Sequence, residues 1–240
     1  MKLTLLGTGD AIGTPKVGCD CPQCARAKKT GVTRLRTSLL LENEGRHILI
    51  DTSPDLRQQL LRHGSPHIDA VIWTHGHYDH FTGFGEFYRV QNIPPVFAAA
   101  PVLNYCAEAF RFLSFEKFTV EPYQPFELFG VSITPFLVRH PPAFTTGFVF
   151  ESGGARIGFT SDTNADIPES SLDLLKNCDL LLLDALVPSS THVYKHMNYL
   201  EACTLAERLK PKEYRCTHIS HLMPWEYPHL SSDGDVFEFP

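Results

Sequence analysis

The chain has no apolar run approaching the roughly 18 residues that a membrane-crossing helix requires. Its first apolar stretch, Lys2 to Leu6, is interrupted by Gly7, Gly9 and Asp10 before it reaches the length of a signal-peptide core. No membrane partner and a cytoplasmic home are therefore expected. Positive charge is also scarce. Lys and Arg number 21 against 27 Asp and Glu, and the resulting net charge of −6 counts against nucleic acid as a partner, because tracking phosphates needs clustered cations. The one basic stretch, Arg26, Lys28, Lys29, Arg34 and Arg36, reads as a solvated face. The seven cysteines are odd in number and three crowd together at Cys19, Cys21 and Cys24, which suits metal ligation in a reducing compartment better than a disulfide framework. Solenoid-length repeats, low-complexity tracts and clean linkers are all missing.

What is present can build a sizeable core. With 43% hydrophobic and 20% charged residues, positions 1–240 read as a single domain carrying a metal-binding loop insertion around 15–35. Short apolar runs bounded by Gly, Asn and Pro predict strands at Leu3–Leu6, Ser38–Leu41, His47–Ile50, Ala70–Trp73 and Pro95–Phe97. A second batch follows at Val131–Thr134, Thr146–Phe150, Ala155–Phe159, Leu180–Leu183 and Tyr214–Thr217. Helix-period segments fall at Pro54–His63, Pro101–Leu113, Ser170–Asn177 and Tyr199–Leu209, the last with Asn198 and Glu201 as a capping pair. Two batches of strands with interspersed helices predict an α/β architecture of two packed sheets between helix layers.

The densest chemistry lies in Thr74-His75-Gly76-His77-Tyr78-Asp79-His80, three imidazoles and one carboxylate directly after an apolar strand. Imidazole and carboxylate together suit Zn, Mn or Fe, and side chains alternating along a tight turn can serve two adjacent metal positions. Other ligand-type residues stand where predicted strands end: His140 after Val138-Arg139, Asp162 after Thr160-Ser161, and His218 after Cys216-Thr217.

In that order, the H-x-H-x-D-H turn, the isolated histidine, the Ser161-Asp162-Thr163 aspartate and the late Thr217-His218 resemble the ligand set of the metallo-β-lactamase superfamily of αββα hydrolases, over nearly the whole chain. The resemblance implies a four-layer αββα sandwich with a dinuclear centre. His75, His77 and His140 would hold one divalent metal, Asp79, His80 and His218 the other, and Asp162 would bridge them. Asp51 matches the superfamily's early strand-end aspartate, which orients a ligating imidazole. Two such cations acidify water and withdraw charge from an attacked phosphoryl or carbonyl group, so hydrolysis is the implied reaction, with Asp79 and Asp162 among its catalytic residues.

Cys19-Asp20-Cys21-Pro22-Gln23-Cys24 offers three thiolates whose soft sulfurs favour a structural zinc. His221, three residues beyond His218, is the candidate fourth ligand and would staple the N-terminal loop to the last strand of the site. This combination, with Gly7-Thr8-Gly9 and Thr217-His218-Ile219-Ser220-His221, is similar to the phosphoribosyl 1,2-cyclic phosphate phosphodiesterase family of phosphonate breakdown. Leu183-Asp184-Ala185 followed by His196 fits the same family, whose proposed general acid His196 would match, with Asp184 supporting it. His196 falls just before helix Tyr199–Leu209, whose N-terminus favours bound anions such as phosphate.

The expectation is a dinuclear phosphodiesterase acting on a small, cyclic phosphate ester, with two catalytic cations and one structural zinc. A homodimer is left open. Rival readings are a tRNA 3′-processing-like nuclease, a thioester or lactone hydrolase, and a zinc-stapled interaction module without activity. The aromatic tail from Trp225 to Phe239 suits either a cover over the pocket or a contact with a neighbouring subunit.

Overall fold

Apolar side chains alternate between two faces along each central strand, and both faces are covered. In the computed structural model, which describes residues 1–240, strands β1 (Lys2–Gly7), β2 (Ser38–Asn43), β3 (Arg46–Ile50) and β4 (Ala70–Ile72) send Leu3, Leu5, Leu39, Leu41, Ile48, Ile50 and Ile72 to one side. Leu6, Leu40, Leu49 and Val71 point to the other. The first sheet is completed by β5 (Val96–Ala98), β6 (Lys117–Thr119) and the C-terminal β13 (Val236–Glu238), in the order β13-β1-β2-β3-β4-β5-β6. The second sheet runs β12 (Glu213–Thr217), β11 (Leu180–Asp184), β10 (Ala155–Phe159), β9 (Thr146–Ser152), β8 (Val131–Leu137) and β7 (Phe126–Leu128).

Between the sheets, the inward residues of the first meet Val131, Ile133, Phe148, Phe150, Ile157, Phe159, Leu180 and Leu182 of the second. Each fully buried side chain of this size contributes about 1.5–3 kcal/mol of transfer free energy. The outer face of the first sheet is covered by α2 (Leu56–Arg62), α3 (Tyr78–Phe81) and α4 (Ala100–Glu108), with Trp73 at the centre of an aromatic cluster formed with Phe81, Phe84 and Phe110. The outer face of the second is covered by α5 (Glu169–Leu175) and α6 (Tyr199–Leu209). The result is a four-layer αββα sandwich. No helix is long and apolar enough to cross a membrane.

The structure departs from the sequence-based expectations in four places. The segment around 15–35 contains a helix, α1 (Pro22–Thr30), which its charged composition conceals, because only Cys24 and Ala27 are buried. The helix anticipated over Pro101–Leu113 ends at Glu108 and continues only as turns. Arg34 is no part of a solvated face: it is 1% exposed, donates from Nη1 to the carbonyls of Ser220 (2.9 Å) and Met223 (3.0 Å), and lies 3.9 Å from the Trp225 ring centre. The aromatic tail is used on the body of the chain itself. Its β13 pairs antiparallel with β1, Phe237 and Phe239 pack against the inter-sheet core, and Trp225 Nε1 donates to the Gln23 carbonyl.

Candidate dinuclear metal centre

The parallel pairs β3–β4, β10–β11 and β11–β12 run in register, so their C-terminal ends open along one edge of the sandwich. Asp51 leaves β3, Thr74 and His75 follow β4, Asp162 follows β10, Asp184 ends β11 and His218 follows β12. Three of these exits use left-handed backbone without glycine: Asp51 at φ 60°, Ser161 at 54° and His218 at 56°. Such conformations cost of order 1–3 kcal/mol each and persist where surrounding structure over-determines them. Here a pair of packed sheets does so, and the chain turns sharply enough to point carboxylate and imidazole into one space.

Two groups of donors face each other there. His77 Nδ1 lies 3.1 Å from His75 Nε2 and 2.9 Å from His140 Nε2. Asp79 Oδ2 lies 3.3 Å from His80 Nε2 and 3.5 Å from His218 Nε2. Asp162 Oδ2 stands between the groups, 3.6 Å and 3.8 Å from His75 and His140 on one side and 3.4 Å and 3.2 Å from His80 and His218 on the other. The fold thus brings together all seven residues that the sequence motifs singled out for this centre.

The outward nitrogens explain why the inward ones are free. His75 Nδ1–H donates to Thr74 Oγ1 at 2.9 Å, because Thr74 already donates its own hydroxyl proton to Asp51 at 2.7 Å. His80 Nδ1–H donates to Asp51 Oδ2 at 2.6 Å, and His140 Nδ1–H to the Lys195 carbonyl at 3.1 Å. With one nitrogen protonated and committed, the other presents a lone pair to the interior. His80 Nε2, His218 Nε2 and Asp162 Oδ1 are buried without any hydrogen-bond partner, which would be costly unless a cation satisfied them. Burial keeps His75, His77 and His140 below the ordinary imidazole pKa, His140 at about 4, as ligation requires. Burial is the largest influence on His80 and His218 too and works against their charge, but the surrounding carboxylates together outweigh it: Asp162, Asp79 and Asp51 raise His80 well above its usual value, and Asp162, Asp79 and Asp184 raise His218 to about 9. Burial alone would raise Asp162, yet His218 and His80 hold it well below the carboxylate range. The carboxylates draw positive charge strongly enough to hold protons on His80 and His218, and a field of that sign, lined by imidazole and carboxylate donors, fits divalent cations that would displace those protons.

At the mouth of the cluster stands His196. Its Nδ1–H donates to Asp184 Oδ2 at 2.7 Å, its ring stacks on His218 at 5.0 Å, and it meets His140 edge-on at 4.6 Å. Asp184 is fully buried; its Oδ2 also accepts from the Thr163 backbone N–H at 2.8 Å. The following helix begins with a complete capping box, Asn198 and Glu201 each accepting from the other's backbone N–H.

The sulfur cluster is separate. Cys19 Sγ and Cys21 Sγ approach His221 Nδ1 at 3.6 Å and 3.4 Å, and Cys24 completes a Cys3His group able to hold one ion. Burial opposes ionisation of Cys21, but contact with His221 and the neighbouring thiols brings it down to about 6; the buried Cys24 is pushed up to about 11. Sequence reasoning missed the brace on this group: Arg34 grips the Ser220 and Met223 carbonyls on either side of His221. It missed Thr74 and Thr163 as well. A hydroxyl next to a ligand motif carries no signal until its partners are visible.

The family described as "Beta-lactamase superfamily domain" matches residues 46–219. The chain belongs to this superfamily. Among curated relatives of this superfamily member, an octanoyltransferase of Porphyromonas gingivalis is 30% identical over 244 residues, covering 96% of this chain and 48% of that protein. The chain therefore spans about half the length of that relative. Among solved structures, a diphosphatase of the PhnP family superposes with a TM-score of 0.89 at 32% identity, covering 100% of this chain and 98% of the other. Zn(2+)-bound PqqB of Methylobacterium extorquens superposes at 0.85 with 21% identity and complete coverage of both, a likeness of fold. The histidine–carboxylate donor groups and the Cys3His group are of a kind that could hold divalent metals.

Proposed function

We propose that this chain hydrolyses a phosphoric diester bond in a small organic phosphate, such as a cyclic ribosyl phosphate. The observation that carries the reading is His196. A histidine bonded through Nδ1 to a buried carboxylate, beside two imidazoles of the metal cluster, can exchange a proton only through Nε2, at the mouth where a leaving oxygen would depart. When bound by His75, His77, His140, Asp79, His80, His218 and Asp162, two divalent cations of the zinc or manganese kind supply Lewis-acid polarisation of the phosphoryl oxygens and acidify the attacking water.

The chain's own residues do the remaining work. Asp184 fixes the His196 tautomer and ring plane, and Thr163 fixes Asp184. Asp51 and Thr74 hold His80 and His75 so that their free nitrogens converge. His196 acts as the imidazolium: with Nδ1–H held by Asp184 it gives its second proton, on Nε2, to the departing alkoxide and is left as the neutral Nδ1–H tautomer. A second reading is cleavage of a diphosphate bond, favoured by the described activity of the 32%-identical neighbour, in which the same residues keep the same roles.

Leaving-group dependence tests the proposal. The His196→Asn variant, assayed with zinc or manganese, is expected to lose about 10²–10⁴-fold in kcat on an alkyl phosphodiester. Its loss on a p-nitrophenyl diester, whose leaving group needs no proton, is expected to be much smaller. Equal losses on the two would remove His196 from the role of acid, and no turnover of any phosphoric ester by the metal-loaded protein would overturn the proposal.

A further inference from the structure

Two clefts open beside the cluster, separated by the segment Pro141–Phe144, whose Pro142, Ala143 and Phe144 line both. The cleft on the His140 side, about 540 Å³, carries the charged Arg139 and Asp166 together with Asn164 and Tyr194. The other, about 420 Å³, is walled by Pro101, Val102, Tyr105, Pro142 and Phe144 and reaches the cluster at His77. It lies within the roughly 300–1,000 Å³ of ordinary ligand pockets. Apart from His77 its lining carries no ionisable group except the Tyr105 phenol.

Tyr105 is built into this wall. A Cβ at Gly76 would lie 2.6 Å from Tyr105 Cδ1, so the glycine inside the ligand turn is what lets the ring rest against the turn's backbone. Phe81 meets the ring edge-on at 6.1 Å. Tyr105 is 65% exposed, and Phe144, which lines the same cleft, is 39% exposed. Two aromatic surfaces thus face solvent in an uncharged cleft that ends at a metal-ligand imidazole.

We infer that this cleft receives the planar aromatic half, of nucleobase kind, of the phosphate ester whose phosphorus sits at the cluster, with Tyr105 as its stacking platform. The inference rests on the phosphoric-ester reading above and narrows it from phosphosugars to esters bearing an aromatic ring. Charge complementarity and continuity select this occupant. A bare sugar phosphate or a second phosphoryl group would find no lysine or arginine here and, beyond His77, no side-chain donor except the Tyr105 phenol, whereas a ring with a π-face finds tyrosine, phenylalanine and proline.

The experiment compares two esters with one leaving group, thymidine 5′-(p-nitrophenyl phosphate) and methyl p-nitrophenyl phosphate. For the wild-type chain, kcat/KM is expected to favour the nucleoside ester about tenfold or more, tenfold corresponding to about 1.4 kcal/mol. Tyr105→Ala should lower that ratio at least about fivefold, within the range of a lost stacking contact. Tyr105→Phe should retain it. A merely structural role would depress both esters together and leave the ratio standing, and that result, or a wild-type ratio near one, overturns the inference. Binding separates this failure from failure of the reaction class. If neither ester is turned over, the phosphoric-ester reading falls, and calorimetric titration with adenosine 5′-monophosphate and ribose 5-phosphate still decides the cleft. A preference for the nucleotide that Tyr105→Ala removes supports it; equal binding of the two overturns it.

Discussion

The two ligand clusters are assembled in opposite ways. The sulfur group takes three ligands from six consecutive residues and needs the fold for only one, His221. The imidazole–carboxylate group takes seven ligands spread from His75 to His218, and only the common edge of two sheets brings them together. A local cluster can form wherever its loop goes and fixes that loop to its distant partner. A cluster scattered along the chain exists only in the folded protein, so its geometry can be held by strand exits and buried carboxylates while one side opens to clefts. On the function proposed above, the first would stabilise and the second would react.

The largest expected effect tests that division at the shared carboxylate. Asp162→Ala is expected to reduce turnover by more than about 100-fold, exceeding the 10–100-fold typical of residues that only support ligands. Metal content should fall while the circular dichroism spectrum is retained; full activity would detach Asp162 from the centre. Asp51→Asn is expected to cost about 10–100-fold in activity or metal affinity, because His80 Nδ1–H would lose its anionic acceptor. Metal titration followed by activity measures it, and an unchanged affinity would refute the orienting role.

On the sulfur side the signs should reverse. Cys21→Ser is expected to remove one bound metal per chain and lower the melting temperature by roughly 5–10 °C, the size of a loss of a few kcal/mol in a chain of this length. Activity per folded molecule should remain within a few-fold. Calorimetry and metal analysis check both, and a collapse of kcat at intact stability would erase the contrast between the clusters. The smallest effect is assigned to Arg34→Met, which leaves the Ser220 and Met223 carbonyls buried and unpaired at a cost of about 1–3 kcal/mol. Denaturant unfolding should show that loss, and retention of the metal held by the sulfur group against a mild chelator should weaken in parallel.

The same contrast explains what could be read before folding. The His75–His80 turn and the Cys19–Cys24 run announce themselves because their ligands are close in sequence. Ten of the thirteen strands and the Asn198–Glu201 cap were legible for a similar reason, since periodicity and capping are local, whereas the three-residue β6, β7 and β13 are too short to show a period. His140, Asp162 and His218 stood out only as ligand-type residues at strand ends and gained meaning from the resemblance. Arg34 shows the limit: within a basic stretch nothing marks one arginine for burial, and its partners lie near positions 220–225. The pairing of β13 with β1 was hidden likewise, joining residues more than 230 positions apart. Helix α1 escaped because a mostly exposed helix has no apolar stripe to display.

Asp51, Ser161 and His218 turn out of their strands through left-handed backbone that the sheets beneath them enforce. The candidate centre is thereby tied to the framework at three strand exits, while His77, Asp79, His80 and His140 are carried by the segments that follow β4 and β8. Exposed side chains that line the clefts, such as Phe144, can be exchanged by an engineer while the backbone beneath them, where the Ala143 N–H bonds the His140 carbonyl, stays in place. One scaffold can in this way be redirected to many substrates, each new specificity written in replaceable side chains above an unchanged foundation.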